Sequence, residues 1–141
     1  EIRSDGDLEI INVDIYSNNL YVGNHPQNQI GFKGRYQINK VLDIGGQYLY
    51  NAKLYSDYDV SDRDDINQRN VQLFQMENYG VLDMRVGAKF NLGSLGAYAQ
   101  VQAYNLLDKI YWARGVESSG SLGEGFPSYG RTLNFSLKLN F

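Results

Sequence analysis

The stretch Leu82-Asp83-Met84-Arg85-Val86-Gly87-Ala88-Lys89-Phe90-Asn91-Leu92 decides the fold. Apolar residues occupy every second position and polar residues or glycine fill most of the gaps, the period of a strand with one apolar face. An amphipathic helix would repeat its apolar residues every three or four positions instead. The same alternation recurs on both sides. Along 40–55, Leu42, Ile44, Gly46, Tyr48, Tyr50, Ala52 and Leu54 oppose Asp43, Gly45, Gln47, Asn51 and Lys53. Along 28–38, Ile30, Phe32, Tyr36 and Ile38 oppose Lys33, Arg35 and Gln37. Small apolar residues (Ala97, Ala99, Val101, Ala103) alternate with Tyr98, Gln100, Gln102 and Tyr104, and a last segment sets Tyr129, Leu133, Phe135, Leu137, Leu139 and Phe141 against Gly130, Thr132, Asn134, Ser136, Lys138 and Asn140. The pattern predicts an all-β chain with strands at about 28–38, 40–55, 80–92, 96–107 and 128–141.

The predicted connections alternate in length. Ile38-Asn39-Lys40 and Gly93-Ser94-Leu95 read as tight turns, the second with the glycine that a hairpin favours. The other two, roughly 56–78 and 108–127, are long and rich in Asp, Asn, Gln, Gly and Ser. Short turns on one side and long loops on the other are the pattern of a membrane barrel. Residues 1–26 are less regular; they read mainly as an outer loop, with a possible strand at Ile10–Tyr16 and a turn at Ser17-Asn18-Asn19. Pro26 and Pro127 are expected just before strands, where a missing N–H costs little.

Composition agrees with long strands. Tyr (12) and Gly (15) are abundant and Pro (2) is scarce. A mean hydropathy of −0.44 would ordinarily suggest a soluble chain, and no run approaches the ~18 apolar residues of a membrane helix. Membrane strands, however, alternate and so average to near-neutral hydropathy. A net charge of −3 argues against nucleic acid as a partner, and the absence of Cys removes disulfides and thiolate metal sites.

Three features favour a membrane barrel over a soluble sheet. Several segments exceed the soluble mode of ~5–6 residues and reach the ~9–11 that span a bilayer. Tyr36, Phe90 and Phe141 sit at the short-turn ends, and Tyr50 and Tyr129 toward the long-loop ends, like two aromatic girdles. The last strand closes on Phe141. Arg131 is the one charged position on the lipid-facing parity; near the rim it costs only ~0–1 kcal/mol. Five strands do not close a barrel, and open edges in lipid are costly. The chain is therefore expected to pair with strands of a longer polypeptide.

Four segments carry a resemblance. Gln47-Tyr48-Leu49-Tyr50-Asn51-Ala52-Lys53-Leu54-Tyr55-Ser56-Asp57-Tyr58, Asn78-Tyr79-Gly80-Val81-Leu82-Asp83, Val101-Gln102-Ala103-Tyr104-Asn105-Leu106-Leu107-Asp108-Lys109-Ile110-Tyr111 and the run from Gly130-Arg131-Thr132 to Phe141 follow one another in order. Together they resemble the closing strands of TonB-dependent outer-membrane receptors of the Bacteroidetes type. Tyr104 and Leu107 depart from that pattern, which usually has Asn and Phe there. The resemblance implies the C-terminal segment of a transmembrane barrel of about 22 strands with a plug inside. It further implies a bacterial outer-membrane location and uptake of a scarce nutrient such as an iron chelate, haem, cobalamin or glycan. The implied partners are outer-membrane lipid, the missing N-terminal strands and plug, TonB through an upstream region, and the barrel-assembly machinery. That machinery would read Phe135, Leu137, Leu139 and Phe141.

Candidate sites follow from residue type. Lys33, Arg35, Asp43, Lys53, Asp83, Arg85 and Lys89 have the parity of the lumen and plug-facing wall. Tyr55, Tyr58, Phe74, Tyr79 and Trp112 lie in or beside the outer loops, where they either stack on a ligand or pack loops together. Asp57, Asp59, Asp62, Asp64 and Asp65 offer hard oxygens for Ca²⁺, though without the regular D-x-D-x-D-G spacing; a solvated loop is the plainer reading. Gly120, Gly123 and Gly125 precede no helix and so make no phosphate loop. His25 is the single histidine and has no G-x-S-x-G partner motif, so no enzyme activity and no cofactor are expected. A soluble antiparallel binding module and an outer-membrane enzyme barrel are the two other classes weighed.

Overall fold

In the computed structural model, which describes residues 12–140, the chain is all-β and antiparallel. Five long strands run in a meander: β1 (Pro26–Gln37), β2 (Leu42–Tyr55), β4 (Tyr79–Leu92), β5 (Leu95–Tyr104) and β8 (Thr132–Asn140), in the spatial order β1-β2-β4-β5-β8. The two-residue strand β3 (Gln75–Met76) pairs with the end of β2, and β6 (Trp112–Ser118) with β7 (Ser121–Pro127) forms a separate hairpin. The sheet does not close on itself. Among the described residues β1 and β8 are its two edges.

Register preserves side-chain parity through all five strands. Tyr36 pairs with Ile44, Ile44 with Val86, Val86 with Val101 and Val101 with Phe135. Phe32, Tyr48 and Leu82 form a second apolar row, and Leu42, Ala88, Ala99 and Leu137 a third. Because alternate residues point to opposite sides, these rows make one continuous apolar face. Among the described residues nothing covers it: Phe32 is 70% exposed and Phe135 66%. The larger buried apolar side chains, Leu54, Tyr55, Leu73 and Met76, lie at the long-loop end, while on the face itself only the small Ala97 and Ala103 are buried.

The short turns form where the sequence placed them. Gly93 and Ser94 alone join β4 to β5, and Gly93 has φ +64, at the loop position where a type II′ turn favours glycine. At the other short turn, Asn39 accepts the N–H groups of Val41 and Leu42 through its side chain. Asn18 and Asn19 do form a turn, with Asn19 at φ +61, but residues 12–16 are not a strand. Positions 10 and 11 of that expected strand, and Phe141, lie outside the described residues.

Two strand boundaries differ from expectation by three residues or more, and one expected loop is a hairpin. β5 stops at Tyr104 rather than 107, because Asn105 (φ +50) and Asp108 (φ +55) turn the chain and bond it both nearby and to the segment before β8. The Asn105 side chain accepts from the Lys109 N–H and donates to the Lys109 carbonyl, while Asp108 accepts from the Arg131 N–H at 2.7 Å. That last bond keeps 128–131 out of β8, so Tyr129 stands outside the strand. The expected loop 108–127 is largely the β6–β7 hairpin, turned by Ser119 (φ +52) and Gly120 (φ +78), the two positive φ values of a type I′ turn. Pro127 accordingly ends a strand instead of preceding one, and Pro26 begins β1.

Gly93→Ala tests the turn. Its Cβ meets no atom within 4 Å, so only the left-handed backbone is penalised, at about 1–2 kcal/mol. Gly34→Ala, also in open space but without positive φ, is expected to change stability by less than about 0.5 kcal/mol. Equilibrium denaturation of both variants measures the difference.

Candidate functional site

The face opposite the apolar one carries the charges. Arg35, on β1, donates from Nε to Asp43 Oδ1 at 3.1 Å, and one terminal nitrogen lies at the same distance. Arg85, on β4, places a terminal nitrogen 3.7 Å from the same oxygen and donates from the other to Gln100 at 3.0 Å. Tyr98, on β5, donates its hydroxyl to Asp43 Oδ2 at 3.1 Å. Asp43 is fully buried beneath these three side chains although no second layer of the described residues covers the sheet.

Two glycines make that convergence possible. Gly87 lies directly opposite Asp43, and a Cβ there would collide with the Tyr98 hydroxyl that crosses above it. Gly45 pairs with Arg85, and its Cβ would come 2.8 Å from the Arg85 Nε. Lys33 and Asp83 share the next row through Gln47, and Lys89 shares a row with Tyr98 and Lys138. Six of the seven charged residues expected on this wall therefore take that parity. Lys53 itself pairs with no strand residue: its φ is +55 and its N–H bonds the Asn78 side chain, and the register resumes unshifted at the buried Leu54.

At the long-loop end, Arg63 organises a cap. It is 2% exposed, donates to the carbonyls of Tyr16, Gln68 and Val71, and meets Glu117 at 3.4 Å. Glu117 also accepts from the Phe74 N–H at 2.6 Å. One ion pair thus joins the N-terminal segment, the 56–78 loop and the β6–β7 hairpin. Asp57 adds a backbone bridge, bonding the Gly115 carbonyl and the Glu117 N–H.

The five aspartates do not converge on a point. Asp59 accepts from the Ser61 hydroxyl and backbone N–H and caps the 3₁₀ turn Val60–Arg63, which holds its carboxyl below the usual range. That stabilisation is complete above the ordinary carboxylate pKa and is lost only as pH falls through the lower folded value. Asp65 caps Ile66–Gln68 in the same way. Among the described residues no group of three acidic or histidine side chains is placed to hold a metal. His25 faces the Gly23 carbonyl at 3.2 Å.

The loop aromatics separate into pairs. Tyr55 stacks on Tyr21 (4.8 Å between rings), and Tyr79 on Tyr111 (3.6 Å). Tyr58 lies under the Arg63 guanidinium, Phe74 is held through its backbone, and Trp112 covers Gly125. A hollow of about 710 Å³ opens between the hairpin and the long-loop end of the polar wall, lined by Asp83, Tyr104, Tyr111, Arg114, Phe126 and Tyr129 among others. Burial, then the Asp83 carboxylate, push the Tyr111 phenol up, keeping it a neutral donor there. None of the five expected ligand-contacting aromatics lines this hollow. Tyr111 does, from one position before Trp112.

Comparison with protein-family models, curated proteins and solved structures returned no match for this chain.

Arg63→Met leaves Glu117 and three carbonyls without their partner, a loss of about 3–5 kcal/mol for a broken buried pair. Hydrogen exchange is the appropriate measurement. Amides of 57–76 and 112–127 should exchange about 100-fold faster or more, while those of β4 and β5 keep their protection.

Proposed function

We propose that this chain is the C-terminal run of strands of a transmembrane outer-membrane β-barrel, part of a TonB-dependent receptor that imports a scarce nutrient. One observation carries the reading: an uncovered, continuous apolar face crosses five paired strands while the charges gather on the opposite face. Water penalises such a face; soluble monomers rarely expose contiguous apolar patches beyond a few hundred Å². Lipid favours it, and a barrel sends the polar face toward its lumen. The long connections gather at one end, as extracellular loops do, and the unpaired edges β1 and β8 call for neighbouring strands.

The receptor assignment rests on the four resembling segments and on nothing else. In that frame Phe135, Leu137 and Leu139, all exposed on β8, present the alternating apolar signal to the assembly machinery together with Phe141. TonB and the plug act through upstream parts of the polypeptide, and the hollow at the hairpin supplies one wall of a ligand site.

A parity-matched pair of substitutions tests the reading in the full-length protein. Val101→Arg puts a guanidinium on the apolar face and is expected to cost ~2–4 kcal/mol, with failed insertion into outer-membrane fractions. Gln102→Arg, one residue on, is expected to insert normally. Equal tolerance of both would mean that no lipid meets this face and would favour a soluble module.

A further inference from the structure

The polar wall is more basic than a lumen requires. Lys33, Arg35, Arg85, Lys89 and Lys138 share it with Asp43 and Asp83, five cations against two carboxylates, in a chain whose net charge is −3. A generic solvated wall needs polarity, not one sign. Three of the cations also gather at one place: Lys33 and Arg35 lie on β1 and Arg85 faces them from β4, with the side-chain-free Gly45 between the two arginines.

There the surface sinks into a trough of about 580 Å³, lined by Lys33, Arg35, Gln47, Arg85, Gln100 and Gln102, with Asp83 as its one carboxylate. That volume suits a small organic ligand. The donors line the trough and are not exhausted. A guanidinium has five N–H donors; Arg35 commits its Nε and one terminal nitrogen to Asp43, while Arg85 commits one nitrogen to Gln100 and turns another to Asp43. Among the described residues Lys33 makes no ion pair. Asp43 neutralises one charge and holds Arg35, and Gln100 holds Arg85, so a ligand would find both guanidinium groups already oriented and little side-chain entropy would be lost on binding.

We propose that this trough binds the oxyanion group, carboxylate or phosphate, of a small solute. Forked guanidinium donors match either group, the lysine adds a mobile third charge, and the glutamine amides accept and donate around the rest of the ligand. The proposal goes beyond the barrel reading and is measured apart from it. Membrane fractionation reports on where the protein resides, whereas titration of purified protein reports on the trough.

The experiment is calorimetric titration of the purified full-length protein, in detergent at low salt, with inorganic phosphate and in parallel with succinate. At least one should bind with a Kd of about 1 mM or tighter, and the tighter of the two identifies the group. Arg85→Gln and Lys33→Gln should each weaken that binding about tenfold, the weight of one charge-assisted hydrogen bond. Lys40→Gln, in the short turn and outside the trough, should leave it unchanged. Should Arg85→Gln disturb folding, the exposed Lys33→Gln carries the test alone. Absence of binding by either anion up to about 10 mM, or a parental affinity in Lys33→Gln, overturns the proposal.

Discussion

Everything in this chain depends on one constraint, the preservation of side-chain parity across four successive antiparallel pairings. Slipping any one strand by a single residue would carry its apolar residues to the charged face and its charges to the apolar one. The register avoids this over the full length of the long strands, from Ile30–Tyr50 at one end to Phe90–Ala97–Leu139 at the other. The two short turns set it: two residues between β4 and β5, and an asparagine-pinned turn between β1 and β2.

Parity alone does not explain the order on the charged face. A lone carboxylate on an open sheet would be hydrated, yet Asp43 is shielded because Gly45 and Gly87 let long side chains lie flat across the strands. Tyr98 reaches Asp43 across the full width of β4, and Arg35 and Arg85 approach from either side. The network ties four strands by side chains in addition to their backbone ladders. It gives the wall a rigid patch of fixed charge at its middle, between the short turns and the hollow under the hairpin.

The long strands were legible because period two is a strong signal over ten or more residues. The wall residues Arg35, Asp43, Asp83, Arg85 and Lys89 followed from parity. Their convergence did not, since it depends on a tyrosine two strands away and on the absence of two side chains. The β6–β7 hairpin was hidden because seven-residue strands containing three glycines show almost no alternation. Arg63 was masked by its acidic neighbours. Asp62 and Asp64 read as a solvated run, yet the residue between them is buried, and only the long-range partner Glu117 reveals why. The end of β5 was misplaced because Asn105 and Asp108 override strand propensity through bonds to residues far along the chain.

The central claim is that the two faces meet different media. The chain contains no cysteine; with any cysteine elsewhere in the full-length protein replaced, single cysteines can be placed one at a time along 82–91, Gly87 excepted, in lipid vesicles and labelled with a fluorophore. Quenching by nitroxide-bearing lipid should be strong at 82, 84, 86, 88 and 90, while a water-soluble quencher should reach 83, 85, 89 and 91. Strong aqueous quenching at both parities, with no lipid quenching at 84, 86 and 88, would contradict the account.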